Sequence, residues 1–167
     1  MSIGFSSALT TTYLHSEPNA GCVHLQEPPC PTGKATLGLE WNNCVSSEGN
    51  NDAAHSVEAI PCPNIKCAAE AREVIQEVLE SFSKDYETTL FGYKHVEILN
   101  HKGCRIEAIV RTWGLSFPDQ WVIKYHREGK ITVRFSSQYG VDDLGKNRRN
   151  YQEFRLRMEE ALKIRNS

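Results

Sequence analysis

Four segments between residues 93 and 137 alternate apolar and polar side chains, and this alternation is the strongest constraint on the fold. The last of them places Ile131, Val133 and Phe135 on one side of an extended chain, as in a half-buried strand. The links His101-Lys102-Gly103 and Arg127-Glu128-Gly129-Lys130 are too short for a crossover, so the strands that they join must be antiparallel. The predicted strands are Tyr93–Leu99, Arg105–Trp113, Gln120–His126 and Ile131–Ser137. We therefore expect an antiparallel sheet with one solvated and one buried face.

Two amphipathic helices flank these strands. Apolar residues recur at helical spacing from Ala68 to Phe82, and again from about Asp143 to Arg165. The stripe of the second helix consists of Tyr151, Phe154, Met158 and Leu162. Such stripes are stable when they pack on the apolar face of a sheet. The prediction is an α+β fold, a four-stranded antiparallel meander with two helices packed on one face.

Residues 1–67 contain no long periodic segment. Prolines and clusters such as Gly49-Asn50-Asn51-Asp52 interrupt every candidate helix. We predict a flexible N-terminal arm over residues 1–29 and a single α+β domain over residues 30–167. In that domain, Cys30 to Pro63 holds enough apolar residues, among them Trp41 and Val45, to form a long irregular wrap over the core.

Charge and hydropathy exclude two classes of partner. The formal net charge is −2, whereas proteins that bind nucleic acid are normally basic, so no nucleic acid is expected. No apolar run approaches the roughly 20 residues that cross a bilayer, so no transmembrane segment is expected. Met1 to Thr12 has neither the basic start nor the apolar core of a secretory signal. We predict a cytoplasmic location; the alternative is a secreted or organellar one after removal of a targeting segment.

Six cysteines are many for a cytosolic domain. Cys62 and Cys67 have the spacing of a zinc ligand pair, and Cys22, His24 and Cys30 are candidates for the remaining ligands. Structural zinc and disulfides in an oxidising compartment both stay open, although free thiols are the interpretation that we favour. No metal and no cofactor enter the prediction.

Polar groups concentrate where the last predicted strand meets the C-terminal helix. Unpaired N–H groups at a helix start attract anions, and Asp142 or Asp143 is a suitable N-cap there. Gly145 costs about 1 kcal/mol relative to alanine in a helix, which suggests that a backbone or a ligand approaches closely. Asn147 and Arg148 project from the same turn, where Arg148 can pair with the aspartates or hold an anion.

A second constellation lies in the predicted wrap. Cys44, Ser46, Ser47, Asp52 and His55 supply a thiol, two hydroxyls, an acid and an imidazole within a short stretch. These are the components of a nucleophilic hydrolase. No nucleophile-elbow motif presents them, however. The interpretation that we favour is a loop whose hydroxyls and His55 satisfy backbone groups; catalysis and contact with a ligand or metal are the alternatives.

Together the two constellations resemble the uncharacterised domain family DUF1499, from about Cys30 to the C-terminus. The resemblance rests on Asn43-Cys44-Val45-Ser46-Ser47 with Asp52, His55, Val57 and Ile60, and on Ser136-Ser137, Gly140, Asp143-Leu144-Gly145, Asn147 and Arg148. Cys30-Pro31 takes the place of the family's Cys-Pro, farther than usual from Cys44, and the pairing of these thiols stays open. Of the family's acidic stretch before its third strand, this chain keeps Asp119. The resemblance implies a common fold and a shared site, but no reaction.

Two distant polar motifs that occur together are expected to meet in space. We predict that the Cys44–His55 loop packs over the start of the last helix, with Asp143, Asn147 and Arg148 bonded to Ser46, Ser47 and His55. The predicted function is a non-enzymatic binding or assembly module for a small anionic ligand or a protein partner. Its ligand-binding residues would be Cys44, Ser46, Ser47, Asp52, His55, Asp143, Gly145, Asn147 and Arg148. The alternative is a hydrolase or transferase using Cys44, Ser46 or Ser47 with His55 and an aspartate.

Overall fold

A computed structural model describes residues 26–34, 38–49, 52–63, 65, 68–84, 94–112 and 117–165. The elements in chain order are β1 (Cys44–Ser46), β2 (Ile60–Pro61), α1 (Ala68–Lys84), β3 (Lys94–Lys102), β4 (Arg105–Thr112), β5 (Pro118–His126), β6 (Lys130–Ser137) and α2 (Lys146–Arg165). All strands belong to one antiparallel sheet. The α+β class with two helices is confirmed.

The sheet has six strands in its described part, not the predicted four. Strands β3, β4, β5 and β6 pair consecutively, and β1 and β2 both pair with the free side of β6. In this pairing Val45 lies opposite Phe135, and Ile60 opposite Ile131. Strands of three and two residues are too short to show an alternating pattern, which is why the sequence did not reveal them.

The core lies between the sheet and both helices, around a cluster of aromatic rings. Trp121 of β5 stacks on Phe135 of β6 with ring centroids 4.0 Å apart. Phe82 of α1 meets Trp121 edge-on at 5.4 Å, and Phe154 of α2 meets it at 6.1 Å. Aromatic pairs favour such offset and edge-to-face geometries. Because rings from both helices contact Trp121, both helices pack on the same face.

The opposite face of β5 and β6 is buried as well, contrary to the expected solvated face. Lys124 and Thr132 are each only 4% exposed. Glu48, from the loop after β1, accepts hydrogen bonds from Lys124 Nζ and Thr132 Oγ1, each at 2.7 Å. The carbonyl of Pro28 accepts a hydrogen bond from Arg134 Nε at 3.0 Å. The wrap and residues 26–29 therefore cover this end of the second face of the sheet. Polar residues that are typical of a solvated surface are buried there.

Residues 1–25 of the predicted N-terminal arm lie outside the described residues. Residues 26–29 contact the sheet, as the bond from Arg134 to Pro28 shows. Within the described chain, neither helix is long and apolar enough to cross a membrane.

Candidate functional site

Asp143 caps the start of α2. Its carboxylate accepts hydrogen bonds from the N–H groups of Gly145 at 2.8 Å, Lys146 at 3.1 Å and Asn147 at 2.9 Å. These are donors that a helix start otherwise leaves unpaired, and the negative charge also suits the helix dipole. The helix begins at Lys146 rather than at about Asp143, because Leu144 and Gly145 have left-handed φ values of 55° and 74°.

The left-handed backbone accounts for Gly145. A Cβ at this position would meet only Arg149 Nη1, at 3.4 Å. Glycine adopts a positive φ without steric cost, unlike other residues. The backbone conformation therefore explains the glycine without the close approach that the sequence suggested.

Arg148 fastens the loop to the helix. Its Nη2 donates to the carbonyl oxygens of Ala53 at 3.1 Å, Ala54 at 2.8 Å and Ser56 at 3.0 Å. We call Arg148 and these carbonyls the loop–helix clamp. The loop thus packs on the start of α2, as predicted, although Arg148 bonds the loop's backbone and not its side chains.

His55 is held at both ring nitrogens. Nδ1 lies 2.6 Å from Asp52 Oδ2, and Nε2 lies 2.8 Å from the carbonyl oxygen of Trp41. Both neighbours are acceptors, so only the doubly protonated ring donates to both. The pKa of Asp52 is lowered by the N–H of Ala54 and then by His55. His55 is 4% exposed and has no ring nitrogen left to act on a substrate.

The two serines bond to nearby backbone instead of the predicted side chains. Ser47 Oγ accepts from the N–H of Val133 at 2.7 Å. Ser46 Oγ accepts from the N–H of Glu48 at 3.1 Å. The predicted bonds from Asp143, Asn147 and Arg148 to Ser46, Ser47 and His55 are therefore wrong. Both serines bond to backbone N–H groups, and sequence spacing does not reveal such partners.

Two cysteines of the predicted site region are joined. Cys30 and Cys44 form a disulfide with Cα atoms 5.6 Å apart. Cys104 is disulfide-bonded too, so the preference for free thiols was wrong for these three cysteines. A disulfide-bonded Cys44 is not a thiolate nucleophile. Ser46, Ser47 and His55 are likewise bonded to nearby backbone groups, His55 also to Asp52.

Cys62 is a free and buried thiol. Burial raises its pKa to about 11, so it is unreactive at neutral pH. Its predicted zinc partner Cys67 lies outside the described residues. Among the residues that are described, no three His, Cys, Asp or Glu side chains are grouped to hold a metal.

A polar layer lies beneath the start of α2, formed by Asn43, Asp119, Ser137, Lys146 and Asn147. Asn147 Nδ2 donates to the carbonyl of Asn43 at 2.8 Å and to Ser137 Oγ at 3.2 Å. Ser137 Oγ donates to Asp119 Oδ1 at 2.7 Å, and Lys146 Nζ lies 2.8 Å from the same oxygen. Asn147 therefore ties α2 to the loop before β1.

Asp119 is the acidic centre of this layer and is fully buried. Burial raises its pKa, although Lys146 and Ser137 stabilise the charged form. Four buried atoms in the described part of this region have no hydrogen-bond partner: Asp119 Oδ2, Trp121 Nε1, Asn147 Oδ1 and Asn150 Nδ2. The layer is thus only partly satisfied, which costs stability.

A cleft of about 480 Å³ opens beside the strand–helix junction. Its walls come from the wrap, from the outer side of β5 and β6, and from the segment that leads to α2. The lining residues are Pro31, Trp41, Asn43, Gln120, Arg134, Ser136, Ser137, Gln138, Tyr139, Gly140 and Val141. The cleft is lined by hydroxyls, amides, two aromatic rings and one cation, and by no carboxylate.

Arg134 is that cation, and sequence reasoning missed it. Its Nε donates to Pro28 O at 3.0 Å and its Nη1 to Ser136 Oγ at 2.9 Å. Within the described chain it forms no ion pair. Burial lowers its pKa, against the opposing charge of Glu27. The alternation of β6 assigned Arg134 to a solvated face, and the only signal for a site was its place between Thr132 and Ser136.

The structure thus defines a disulfide-bonded α+β domain with a polar cleft at the junction of wrap, sheet and second helix. A family model described as "Protein of unknown function (DUF1499)" matches residues 36–158, well over half of the chain. The chain belongs to this family. No curated protein matches the sequence, and no solved structure matches it.

Proposed function

We propose that this protein is a binding module for a small anion, which it takes into the cleft with Arg134 as the charged anchor. The observation that carries the proposal is a half-buried guanidinium group that has donors to spare and forms no ion pair in the described chain. Buried charged groups are normally paired, because the removal of a charged group from water costs free energy. An anionic ligand would supply the missing partner.

The residues predicted from sequence then support the cleft from behind. His55 holds the carbonyl of Trp41, and Asn147 holds the carbonyl of Asn43. Trp41 and Asn43 both line the cleft. Arg148 fixes the loop that carries His55, and Asp143 fixes the start of the helix that carries Asn147. We infer that Asp52, His55, Asp143, Asn147 and Arg148 position the ligand-binding wall.

Cys44, Ser46 and Ser47 contribute to the same wall. Cys44 pairs with Ser136 across β1 and β6 and is bonded to Cys30, next to Pro31 in the lining. Ser47 ties the loop after β1 to Val133. A wall built from so many fixed groups is preorganised, which favours binding because little order must be created when the ligand enters.

The test is NMR titration of isotope-labelled protein with acetate, chloride and inorganic phosphate. At least one of these anions should shift the signals of Gly140, Val141 and the Trp41 indole, and Arg134→Gln should abolish these shifts. Lys130→Gln is the matched control, because Lys130 is an exposed cation of the same strand outside the cleft. Shifts that survive Arg134→Gln, or that map elsewhere, would refute the assignment.

We also infer that the protein works in an oxidising compartment, which favours the secreted or organellar location over the cytoplasmic one. Disulfides persist in such compartments and are rare in the cytosol. Two observations support this location, the Cys30–Cys44 bond and the disulfide of Cys104. Thiol alkylation of protein trapped in acid from its native source should leave Cys30, Cys44 and Cys104 unlabelled. Labelling of all three would show that they are reduced in the cell.

A further inference from the structure

We propose that the ligand is a monocarboxylate with a flat, apolar body, such as an aromatic carboxylate. This inference rests on the proposed function and names the ligand class of the same cleft. Three properties of the cleft carry it: its single charge, the free edge of its guanidinium group and the two rings in its walls.

The charge of the lining selects a monoanion. Arg134 is the single charged residue of the cleft lining, in which Gln120, Ser136 and Asn43 are neutral. Glu27, whose charge acts on Arg134, is not among the lining residues. A group with one negative charge balances the guanidinium group inside the cleft. A dianion such as phosphate would carry an unpaired charge into a partly desolvated site, which is unfavourable.

The hydrogen bonds of Arg134 select a planar acceptor. A guanidinium group has five N–H donors, of which Pro28 O and Ser136 Oγ take one on Nε and one on Nη1. One N–H on Nη1 and both on Nη2 have no partner in the described chain. These two nitrogens form the end of the fork, which matches the two oxygens of a carboxylate in a bidentate arrangement.

The aromatic rings in the walls of the cleft favour a ligand with a flat apolar body. Trp41 and Tyr139 both line the cleft, and Tyr139 is 62% exposed. Phe117, also exposed, lies against Tyr139 with ring centroids 6.4 Å apart. Large rings exposed beside a cation provide a surface on which a flat apolar group stacks. The volume of about 480 Å³ lies in the lower half of the range for small-molecule sites.

The experiment compares four probes by calorimetry and NMR: benzoate, acetate, inorganic phosphate and benzyl alcohol. Benzoate should bind about tenfold more tightly than acetate, the size expected for one aromatic contact. Phosphate and benzyl alcohol should bind more weakly than benzoate, because the first has excess charge and the second has none.

Variants separate the two parts of the recognition. Arg134→Lys keeps the charge but removes the fork, and should weaken benzoate binding at least tenfold. Tyr139→Ala should remove the preference for benzoate over acetate. Tyr139 is exposed, so this variant should fold. Lys130→Gln should leave every probe unaffected.

The outcomes distinguish the inference from the proposal beneath it. If no anion binds in the cleft, the proposed function itself fails. If phosphate binds as tightly as benzoate, or acetate binds as tightly as benzoate, the anion site stands and the assignment to a flat monocarboxylate is wrong. Benzoate binding that Tyr139→Ala does not change would also overturn the stacking part.

Discussion

Two arginines on opposite sides of β1 show how differently the same side chain is used in this molecule. Arg148 in the loop–helix clamp donates to three carbonyl oxygens, those of Ala53, Ala54 and Ser56. Arg134 in the cleft donates from Nε and Nη1 and keeps the end of its fork free of partners in the described chain. Arg148 holds the loop to the helix through its Nη2, whereas Arg134 lines the cleft, where we propose that it binds a ligand.

The surroundings of an arginine are therefore a better guide to a site than the concentration of polar residues, because Arg134 lines the cleft and Arg148 does not. The clamp region has the denser polar sequence, yet its groups satisfy one another. The cleft lining has one charged residue, Arg134, and it forms no ion pair in the described chain. If this comparison is correct, substitutions in the clamp should reduce stability, and substitutions in the cleft should reduce binding.

The largest effect on stability should come from loss of the Cys30–Cys44 disulfide. Replacing both Cys30 and Cys44 by alanine opens a loop of sequence separation 14, and the free energy of unfolding should fall by about 3 kcal/mol. Urea denaturation measures this loss. Cys62→Ala is the control, because it alters a free thiol and should cost less. A double variant as stable as the parent would show that the bond does not constrain the wrap.

Arg148→Ala should come next and tests the clamp directly. Its removal leaves loop carbonyls without their donor, and the free energy of unfolding should fall by about 2 kcal/mol. Arg149→Ala is the matched control on the adjacent exposed residue, whose Nη1 donates to one carbonyl only, that of Leu144. Equal losses for the two variants in urea denaturation would mean that Arg148 is not a clamp.

The carboxylates of Asp119 and Glu48 should respond to pH with opposite signs. The folded pKa of Asp119 lies above the ordinary 3.8, mainly because of burial, so its contribution to stability falls as the pH rises through that folded pKa. Burial also acts to raise the pKa of Glu48, but Lys124 and Thr132 bring it below the ordinary 4.5. The contribution of Glu48 is therefore present at neutral pH and lost as the pH falls through its folded pKa.

Unfolding free energies of Asp119→Asn and Glu48→Gln, each compared with the parent between about pH 3 and pH 8, check both signs. As the pH rises, the free energy of unfolding of Asp119→Asn should increase relative to that of the parent. The free energy of unfolding of Glu48→Gln should decrease relative to that of the parent. Differences that move in the same direction would contradict the pKa shifts.

A smaller gain should come from Asn150, whose Nδ2 is buried without a partner. Asn150→Leu removes this unsatisfied donor and keeps a similar side-chain volume, so the protein should become about 1 kcal/mol more stable. Gln152→Leu, at an exposed position of the same helix, should change stability little. A loss of stability in Asn150→Leu would show that the amide is bonded in solution.

The smallest effect on stability should be that of Arg134→Gln. We expect a change below about 0.5 kcal/mol in the free energy of unfolding, because relief from burying the charge offsets the lost bonds to Pro28 and Ser136. The same variant should abolish anion binding. A loss of stability as large as that of Arg148→Ala would show that Arg134 mainly stabilises the fold. The two regions would then not differ in the way proposed.

The parts of the fold that periodicity describes were predictable. The stripe with Phe154 and the alternation around Phe135 placed α2 and β6 correctly, because burial of one face imposes a fixed period. The strands β1 and β2 were missed since Val45 and Ile60 owe their extended conformation to β6, a long-range partner. Local sequence does not encode that pairing.

The packing of the two polar motifs against each other was predictable from the sequence, but the bonds between them were not. The joint presence of two polar motifs indicated that His55 and Arg148 belong to neighbouring segments, which the clamp confirms. Their partners are backbone carbonyls, and carbonyls have no sequence signature. Arg134 was missed for another reason. Pro28, which precedes the wrap, covers it, whereas an alternating strand alone predicts exposure.

The pairing of the wrap with β6 has a consequence for self-association. A foreign strand approaching β6 finds the outer hydrogen-bonding row already occupied by Cys44–Ser46 and Ile60–Pro61. At the opposite edge of the sheet, the register of β3 with β4 shifts between Ile98 and Asn100, so that Leu99 has no partner residue on β4. Such irregular margins are poor templates for intermolecular β-pairing. The register shift therefore makes the β3 edge a less regular template, and the outer row of β6 is already paired.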